Sequence, residues 1–281
     1  MRKGTEKLTK AGIDTARLDA EVLLYNLLDV ERIYLYMYRE KGVSEEIQKR
    51  FRAGIEKRAK HMPIQYIVNR QEFMGLDFWV EEGILIPRAD TEILVEKVID
   101  IYKNNYNPDR VKIIDIGTGS GAIAVSLAKY IENCSITAID ICSNALRVAV
   151  KNAEFHKVED KITFYLGDLF SPIDEYNEYK TYDFIISNPP YISKSELDIL
   201  ESGVKDYEPH SALDGGSDGL DYYRKITPKA KDFLKEHGWL LFEIGYSQGK
   251  DVSEILNINE LKDITVLQDL AGSDRVVLGK T

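Results

Sequence analysis

Cysteine is nearly absent. Cys134 and Cys142 are the two in 281 residues, too few for a disulfide framework or a cysteine-built zinc site. The four histidines, His61, His156, His210 and His237, lack metal-ligand spacing, so no metal is expected. No apolar run approaches the roughly 20 residues that a membrane-spanning helix needs; stretches such as Leu240 to Phe242 and Ile84 to Pro87 are strand-sized. No apolar signal core follows Met1 to Lys7, and the expectation is a cytoplasmic protein of a reducing compartment. Positive charge is scarce, with 37 Lys+Arg against 47 Asp+Glu and a net charge of −10. So acidic a chain is poorly suited to tracking a phosphate backbone, and direct nucleic-acid binding is not expected.

What is present is globular: 44% hydrophobic, 30% charged and 10% aromatic, which argues against disorder and low-complexity chains. The charge is uneven. Residues 1–62 hold 14 Lys+Arg and 10 Asp+Glu, net +4, and residues 63–281 hold 23 and 37, net −14. The split suggests two units with different surfaces, although a helical surface that happens to carry more lysine would give the same contrast.

The first 62 residues read as helices. Asp14 is a candidate N-cap before Ala16, and Leu18, Val22, Leu23, Tyr25 and Leu27 follow the spacing of one buried face. Ser44-Glu45-Glu46-Ile47 opens another helix, with acidic residues where the helix dipole favours them. It runs through Phe51 and Ile55 to about His61, and Pro63 stops it. Residues 63–86 are aromatic and β-branched, punctuated by Gly75 and Gly83, and read as a hairpin linking two domains.

From residue 87 to 281 helix and strand alternate. Strands are expected at 111–116, 135–140, 161–167, 182–188 and 238–245, with helices between them, and two final strands at 264–267 and 275–278 with no helix between. Alternation of this kind implies an α/β domain with a doubly wound, mostly parallel seven-stranded sheet. The last hairpin implies one antiparallel edge strand.

Chemistry-bearing residues cluster at the expected strand ends. Gly117, Thr118, Gly119, Ser120 and Gly121 follow the first strand of the parallel sheet. The spacing is G-x-G-x-G rather than the dinucleotide G-x-G-x-x-G, which favours S-adenosyl-L-methionine over NAD. Asp140, at the end of the next strand, can accept two hydrogen bonds from ribose hydroxyls, though a strand-end aspartate is also a common helix cap. Asp168 and Leu169 fit an adenine slot, with a carboxylate for the exocyclic amine and an apolar surface for the ring; an ordinary turn after a strand is the alternative. Asn188-Pro189-Pro190-Tyr191 is the most specific signal. The Asn188 side chain and the Pro189 carbonyl are two acceptors on a loop stiffened by proline, and Tyr191 adds a flat wall. That set suits gripping both hydrogens of a planar –NH2 group.

These motifs resemble class I S-adenosylmethionine-dependent methyltransferases that act on planar nitrogens. Within them the chain is similar to the release-factor glutamine N5-methyltransferases of the PrmC/HemK type. The resemblance takes in Leu85-Ile-Pro-Arg-Ala-Asp-Thr-Glu92, which departs from IPRPDTE at Ala89, the run from Glu208 to Leu220, and Asp274-Arg-Val-Val-Leu-Gly279. It implies a small helical substrate-docking domain (1–62), a linker hairpin (63–86) and a catalytic domain (87–281). It also implies the glutamine of the Gly-Gly-Gln motif of class-1 peptide chain release factors as substrate. Asn188 and Pro189 would be catalytic, Asn188 through Tyr191 would hold the substrate, and the glycine loop with Asp140, Asp168, Leu169 and Asn188 would hold the cofactor. An adenine or guanine amino methyltransferase is the alternative, because the same loop grips those nitrogens; the −14 balance of residues 63–281 argues against it.

Overall fold

The computed structural model describes residues 1–106, 109–174 and 179–281. The chain divides into two compact units: 1–70 with 80–83 and 200–208, and 71–79 with 84–199 and 209–281.

The first unit is helical, with α1 (Arg2–Lys10), α2 (Ala16–Leu28), α3 (Arg32–Met37), α4 (Glu45–Arg58) and α5 (Ile64–Val68). Its core gathers Leu8, Ile13, Ala16, Ala20, Leu23 and Ile55. The Ser44 hydroxyl caps α4 by accepting from the Ile47 N–H. At α2 the N-cap is Thr15 rather than Asp14, and the Thr15 hydroxyl donates to Asp19 at 2.9 Å.

The buried face of α2 also differs from the apolar reading. Leu18 is exposed while Asp19 and Glu21 are buried. Both acids have partners that make burial tolerable. Asp19 accepts from Arg58 Nε at 2.6 Å. Glu21 accepts from Arg17 Nε, Arg32 Nε and the Tyr36 hydroxyl, each at 2.9 Å. Burial pushes the Glu21 pKa up, but hydrogen bonds from Arg17, Arg32 and Tyr36 outweigh it and hold the carboxyl below its ordinary value.

Ile64–Val68 is a helix, not the strand its β-branched residues suggest. Pro63 sits at its N-cap, Ile64, Ile67 and Val68 pack on the helical core, and Asn69 ends it in the left-handed region. Packing of that apolar face overrides local propensity. The hairpin lies farther along, in β1 (Gln71–Phe73) and β2 (Leu76–Phe78), and belongs to the second unit. Its two-residue turn, Met74-Gly75, has φ of 54° and 69°, the positive pair that a twisted hairpin needs.

The second unit is a seven-stranded sheet of β3 (Val111–Ile116), β4 (Cys134–Asp140), β5 (Ile162–Leu166), β6 (Tyr182–Ser187), β7 (Leu234–Glu243), β8 (Lys262–Gln268) and β9 (Asp274–Lys280). The order is β5-β4-β3-β6-β7-β9-β8. The five strands from β5 to β7 are parallel; β9 runs against both β7 and β8. The antiparallel edge is therefore a hairpin, with its reversed strand β9 inserted next to β7. One face is covered by α6 (Glu92–Asn105) and α7 (Ala122–Tyr130), which pack with β3 in a core that includes Leu94, Val98, Ile113 and Leu127. Helix Asp221–Phe233 belongs to the core on the other side of the sheet, with Tyr223, Ile226 and Phe242. β6 is buried at all six positions, as expected of a central parallel strand.

The strand order reverses between β3 and β6, and ligands of open α/β sheets bind at such a point. Register sets the positions there. Ile116 pairs with Ile139 on one side and Ser187 on the other. The next residues are Gly117, Asp140 and Asn188, which leave three neighbouring strands at one level.

Candidate active site

The glycine loop is built by the sheet edge beneath it. Gly117 N–H and Thr118 N–H both donate to the Ile139 carbonyl, at 2.8 and 3.0 Å. Gly117, Gly119 and Gly121 have φ of 75°, 57° and 81°, conformations that favour glycine. Their surroundings divide the work. A Cβ on Gly121 would stand 3.0 Å from Ala149 Cβ, so this glycine lets α7 approach its neighbouring helix (Ser143–His156). A Cβ on Gly117 would meet nothing within 4 Å, and one on Gly119 only the Gly117 carbonyl at 4.0 Å. That open backbone, at the strand ends, is a cradle a ligand can approach closely. Thr118 and Ser120 are buried. The Thr118 hydroxyl donates to Asp115 at 2.7 Å, and the Ser120 carbonyl accepts from Asn152. In both residues the side chain is buried, which leaves backbone as the part a ligand could reach.

Asp140 holds the loop. Its Oδ2 accepts from Gly119 N–H and its Oδ1 from Cys142 N–H, both at 2.8 Å. Each oxygen keeps a further lone pair for a ribose hydroxyl. Burial raises its pKa, opposed by those backbone bonds. Beneath it Asp115 is fully buried, with one oxygen lacking a hydrogen bond. Burial pushes its pKa up to about 7.

Asp168 and Leu169 follow β5. Gly167 N–H donates to the Asp140 carbonyl at 3.0 Å, which keeps this turn at the same sheet edge. Asp168 is exposed. Leu169 has a φ of 49° and packs on the apolar core, an uncommon conformation for a bulky residue.

The Asn188-Pro189-Pro190-Tyr191 loop leaves β6 and is enclosed by the run after it. Ile192 N–H donates to the Leu213 carbonyl and Gly215 N–H to the Ile192 carbonyl, at 3.0 and 2.8 Å. A Cβ on Gly215 would stand 2.8 Å from the Pro190 carbonyl oxygen. Gly215 and Gly219 of Asp214-Gly-Gly-Ser-Asp-Gly219 are therefore required by close backbone approach, whereas a Cβ on Gly216 would meet the Asp221 carboxylate. Gln248 joins the two segments: its Nε2 donates to the carbonyls of Tyr191 and Gly219, at 2.9 and 3.3 Å.

Two further residues face this loop, and reading along the chain did not single them out. Asn188 Nδ2 donates to the Thr91 hydroxyl oxygen at 3.3 Å. The Tyr191 hydroxyl donates to Glu243 Oε1 at 3.4 Å. Glu243 ends β7 and is 2% exposed; its Oε2 is buried without a hydrogen-bond partner, and burial raises its pKa to about 7. Arg275 Nη2 pairs with Asp90 at 3.2 Å, which brings the last motif of the chain onto the turn before α6. Among the described residues no group of three or more His, Cys, Asp or Glu could hold a metal ion, and no helix is long and apolar enough to cross a membrane.

A glycine cradle, a strand-end aspartate and an Asn-Pro-Pro-Tyr loop at the switch point of this sheet define a class I methyltransferase. The hMettl16 catalytic domain, solved in complex with MAT2A 3′UTR hairpin 6, shares the fold: TM-score 0.58 and 16% identity, over 84% of this chain and 82% of that one. The PrmC N-terminal domain profile matches residues 1–68, and the methyltransferase small domain profile matches residues 90–206. The release factor glutamine methyltransferase of Fusobacterium nucleatum is 42% identical over 279 residues, which is 99% of this chain and 77% of that protein. That of Clostridium acetobutylicum is 44% identical over 261 residues, covering 92% and 90% of the two chains. The chain belongs to the release factor glutamine methyltransferase family. It is an S-adenosylmethionine-dependent methyltransferase.

Proposed function

We infer that the protein transfers a methyl group from S-adenosyl-L-methionine to the side-chain amide nitrogen, N5, of the glutamine in the Gly-Gly-Gln motif of class-1 peptide chain release factors. One observation carries this beyond the family. Asn188 and Pro189, which offer two acceptors, leave β6 at the register level where the open glycine cradle leaves β3.

The cofactor supplies the electrophilic methyl carbon. The remaining work belongs to the chain. The Gly117–Gly121 loop would hold the cofactor, with open backbone at Gly117 and Gly119, while Asp140 would accept from its ribose and Asp168 and Leu169 would border its adenine. An amide nitrogen is a poor nucleophile, so its placement matters more than a strong base. Asn188 Oδ1 and the Pro189 carbonyl take the two amide hydrogens, and Pro190 and Tyr191 wall the side chain in. Holding the nitrogen in line with the methyl carbon supplies roughly 7–11 kcal/mol in favourable systems. As nitrogen gains positive charge the two acceptors hold it more tightly, which favours the transition state over the bound substrate. S-adenosylmethionine, when bound, would supply the methyl group and leave as the neutral thioether, and the proton lost from the amide nitrogen would pass to solvent water.

Residues 1–62 form the protein-docking part of the chain in this reading. Support comes from their positive charge and from Ile33, Met37 and Tyr38, which stand exposed on the helical unit.

The deciding experiment is mass spectrometry of unmethylated release factor after incubation with the protein and cofactor. A single added methyl on the Gly-Gly-Gln glutamine is the expected result. Label in tRNA, rRNA or DNA, with none in release factor, overturns the assignment.

A further inference from the structure

The helical unit carries a cavity of about 840 Å³, made by residues 1–56 alone. Its apolar lining comes from Leu24 and Leu28 of α2, Leu35 of α3, and Ile47, Phe51 and Ile55 of α4. Its charged lining is exposed and almost all of one sign: Arg2, Lys3 and Lys7 of α1, Arg39 and Lys41 of the loop after α3, and Arg52 of α4. Among the described residues Glu56 is the one acid in the lining, and Lys7 pairs with it. Arg2 pairs with Glu6 at 3.6 Å. The other four cations have no carboxylate among the described residues. Lys41 donates to the Tyr34 hydroxyl at 2.8 Å, and Arg52 to the Gln48 side chain at 3.4 Å.

Such a site is complementary to a ligand that is apolar on one side and anionic at its edges. Carboxylates brought to it relieve repulsion among the cations as well as adding attraction. The cations stand on three separate segments, which suits several carboxylates flanking an apolar stripe better than one anionic headgroup. The helical unit has no strand among its described residues, so it offers no sheet edge to an extended peptide. The remaining common mode is a helix laid in a groove, with apolar anchors at i, i+3 or i+4, and i+7.

We propose that this cavity docks an acidic amphipathic helix of the protein substrate, with its apolar stripe on Leu24, Leu28, Ile47 and Phe51 and its carboxylates on Lys3, Arg39, Lys41 and Arg52. The proposal rests on the reading of the helical unit as the docking part of the chain.

The test measures binding of a fluorescein-labelled peptide of about 18 residues, long enough to be helical, with leucine along one stripe and glutamate elsewhere. The first control has the same composition with the leucines dispersed, and the second has lysine in place of glutamate. The full-length protein should bind the striped acidic peptide at least about ten-fold more tightly than either control. The double variant Lys3→Glu/Arg39→Glu should weaken it at least about ten-fold, and the charge-keeping Lys3→Arg/Arg39→Lys should stay within about three-fold of wild type. Equal binding of the striped and dispersed peptides overturns the proposal, as does an unaltered affinity in the charge-reversed variant. Tighter binding of a single-stranded RNA oligonucleotide than of the striped peptide also overturns it, as does a dimer of the chain that the charge reversal dissociates while the peptide fails to bind.

Release factor supplies a second arm. Its KM should rise about ten-fold in Lys3→Glu/Arg39→Glu, with cofactor Kd unchanged. If the peptide binds as expected while wild type leaves release factor unmethylated, the substrate assignment fails and the docking site stands. If release factor is methylated with a KM that the charge reversal does not move, the docking site is overturned and the substrate assignment stands.

Discussion

Gly219 lies directly against the backbone of Tyr191: a Cβ added at Gly219 would overlap the Tyr191 carbonyl oxygen. Its φ is 77°, so alanine would be strained even with space to spare. Gly219→Ala must push the Asn-Pro-Pro-Tyr loop away or refold the 214–219 turn. The expected outcome is a stability loss of about 1–3 kcal/mol together with at least a ten-fold fall in single-turnover rate. Urea melts and rapid-quench assays measure both.

Asn188→Ala removes one acceptor and leaves a substrate amide hydrogen unpaired. The loss should be on the order of 2–4 kcal/mol of transition-state stabilisation, by analogy with single oxyanion-hole donors. That is about 30- to 1000-fold in rate. Asn188→Asp keeps an acceptor but adds negative charge beside the cofactor, and should retain partial activity. Single-turnover rates at saturating cofactor rank the three proteins; equal rates would make Asn188 a turn residue only.

Asp140 accepts from the Gly119 and Cys142 N–H groups, and in the proposed function it also accepts from the cofactor ribose. Asp140→Ala should weaken cofactor binding by at least about 1–3 kcal/mol, the scale of hydrogen bonds to a charged group. Asp140→Asn, able to accept through only one atom, should fall between. Titration calorimetry with the cofactor reads both.

Two buried carboxyls impose a pH dependence on stability. Asp115 and Glu243 are each raised by burial to about 7, from ordinary values of 3.8 and 4.5. In that window the folded chain binds protons the unfolded chain has released, so stability falls as pH rises toward 7. Asp115→Asn should flatten the decline by an amount on the order of 1–4 kcal/mol. Glu21 runs the other way, since its lowered pKa gives stability that is lost as pH falls below 4.5. Denaturant midpoints between about pH 5 and pH 8 therefore follow the carboxyls that burial raises, Asp140 among them, and the Asp115→Asn difference gives the share of Asp115.

The docking role of the helical unit is tested at its exposed apolar side chains. Met37 is 66% exposed. Met37→Glu should raise KM for intact release factor about ten-fold, the scale of an interface residue worth somewhat more than 1 kcal/mol, and leave cofactor Kd unchanged. An unaltered KM would place the docking surface elsewhere.

The parallel sheet and its ligand loops were legible because their signals are local. A β-branched run followed by Gly117-Thr-Gly-Ser-Gly121 declares strand, turn and helix start within a dozen residues, and Val111–Ile116 and Ala122–Tyr130 form as read. The helical unit was read less completely. Helix α1 is largely polar and buries only Gly4 and Leu8, so no apolar periodicity announces it. Ile64–Val68 carries strand-forming residues on a helix that tertiary packing holds. Thr91 and Glu243 were illegible for another reason. Each is an ordinary residue for its element, and its meaning comes from partners 97 and 52 positions away along the chain. Nothing in a one-dimensional pattern links them until β7 is placed beside β6 and the turn before α6.

The register that pairs Ile116 with both Ile139 and Ser187 makes the sheet a ruler. Adjacent strands lie about 4.8 Å apart, and each residue advances its strand by about 3.3 Å. Sliding β6 by one residue would turn its side chains to the opposite face and carry the acceptor loop one residue's rise past the methyl donor. In the proposed function the gap between donor and acceptor is thus graduated by backbone hydrogen bonds that no single side chain can loosen. Surface segments that recruit a partner can change in length and sequence while the two reacting loops keep their spacing.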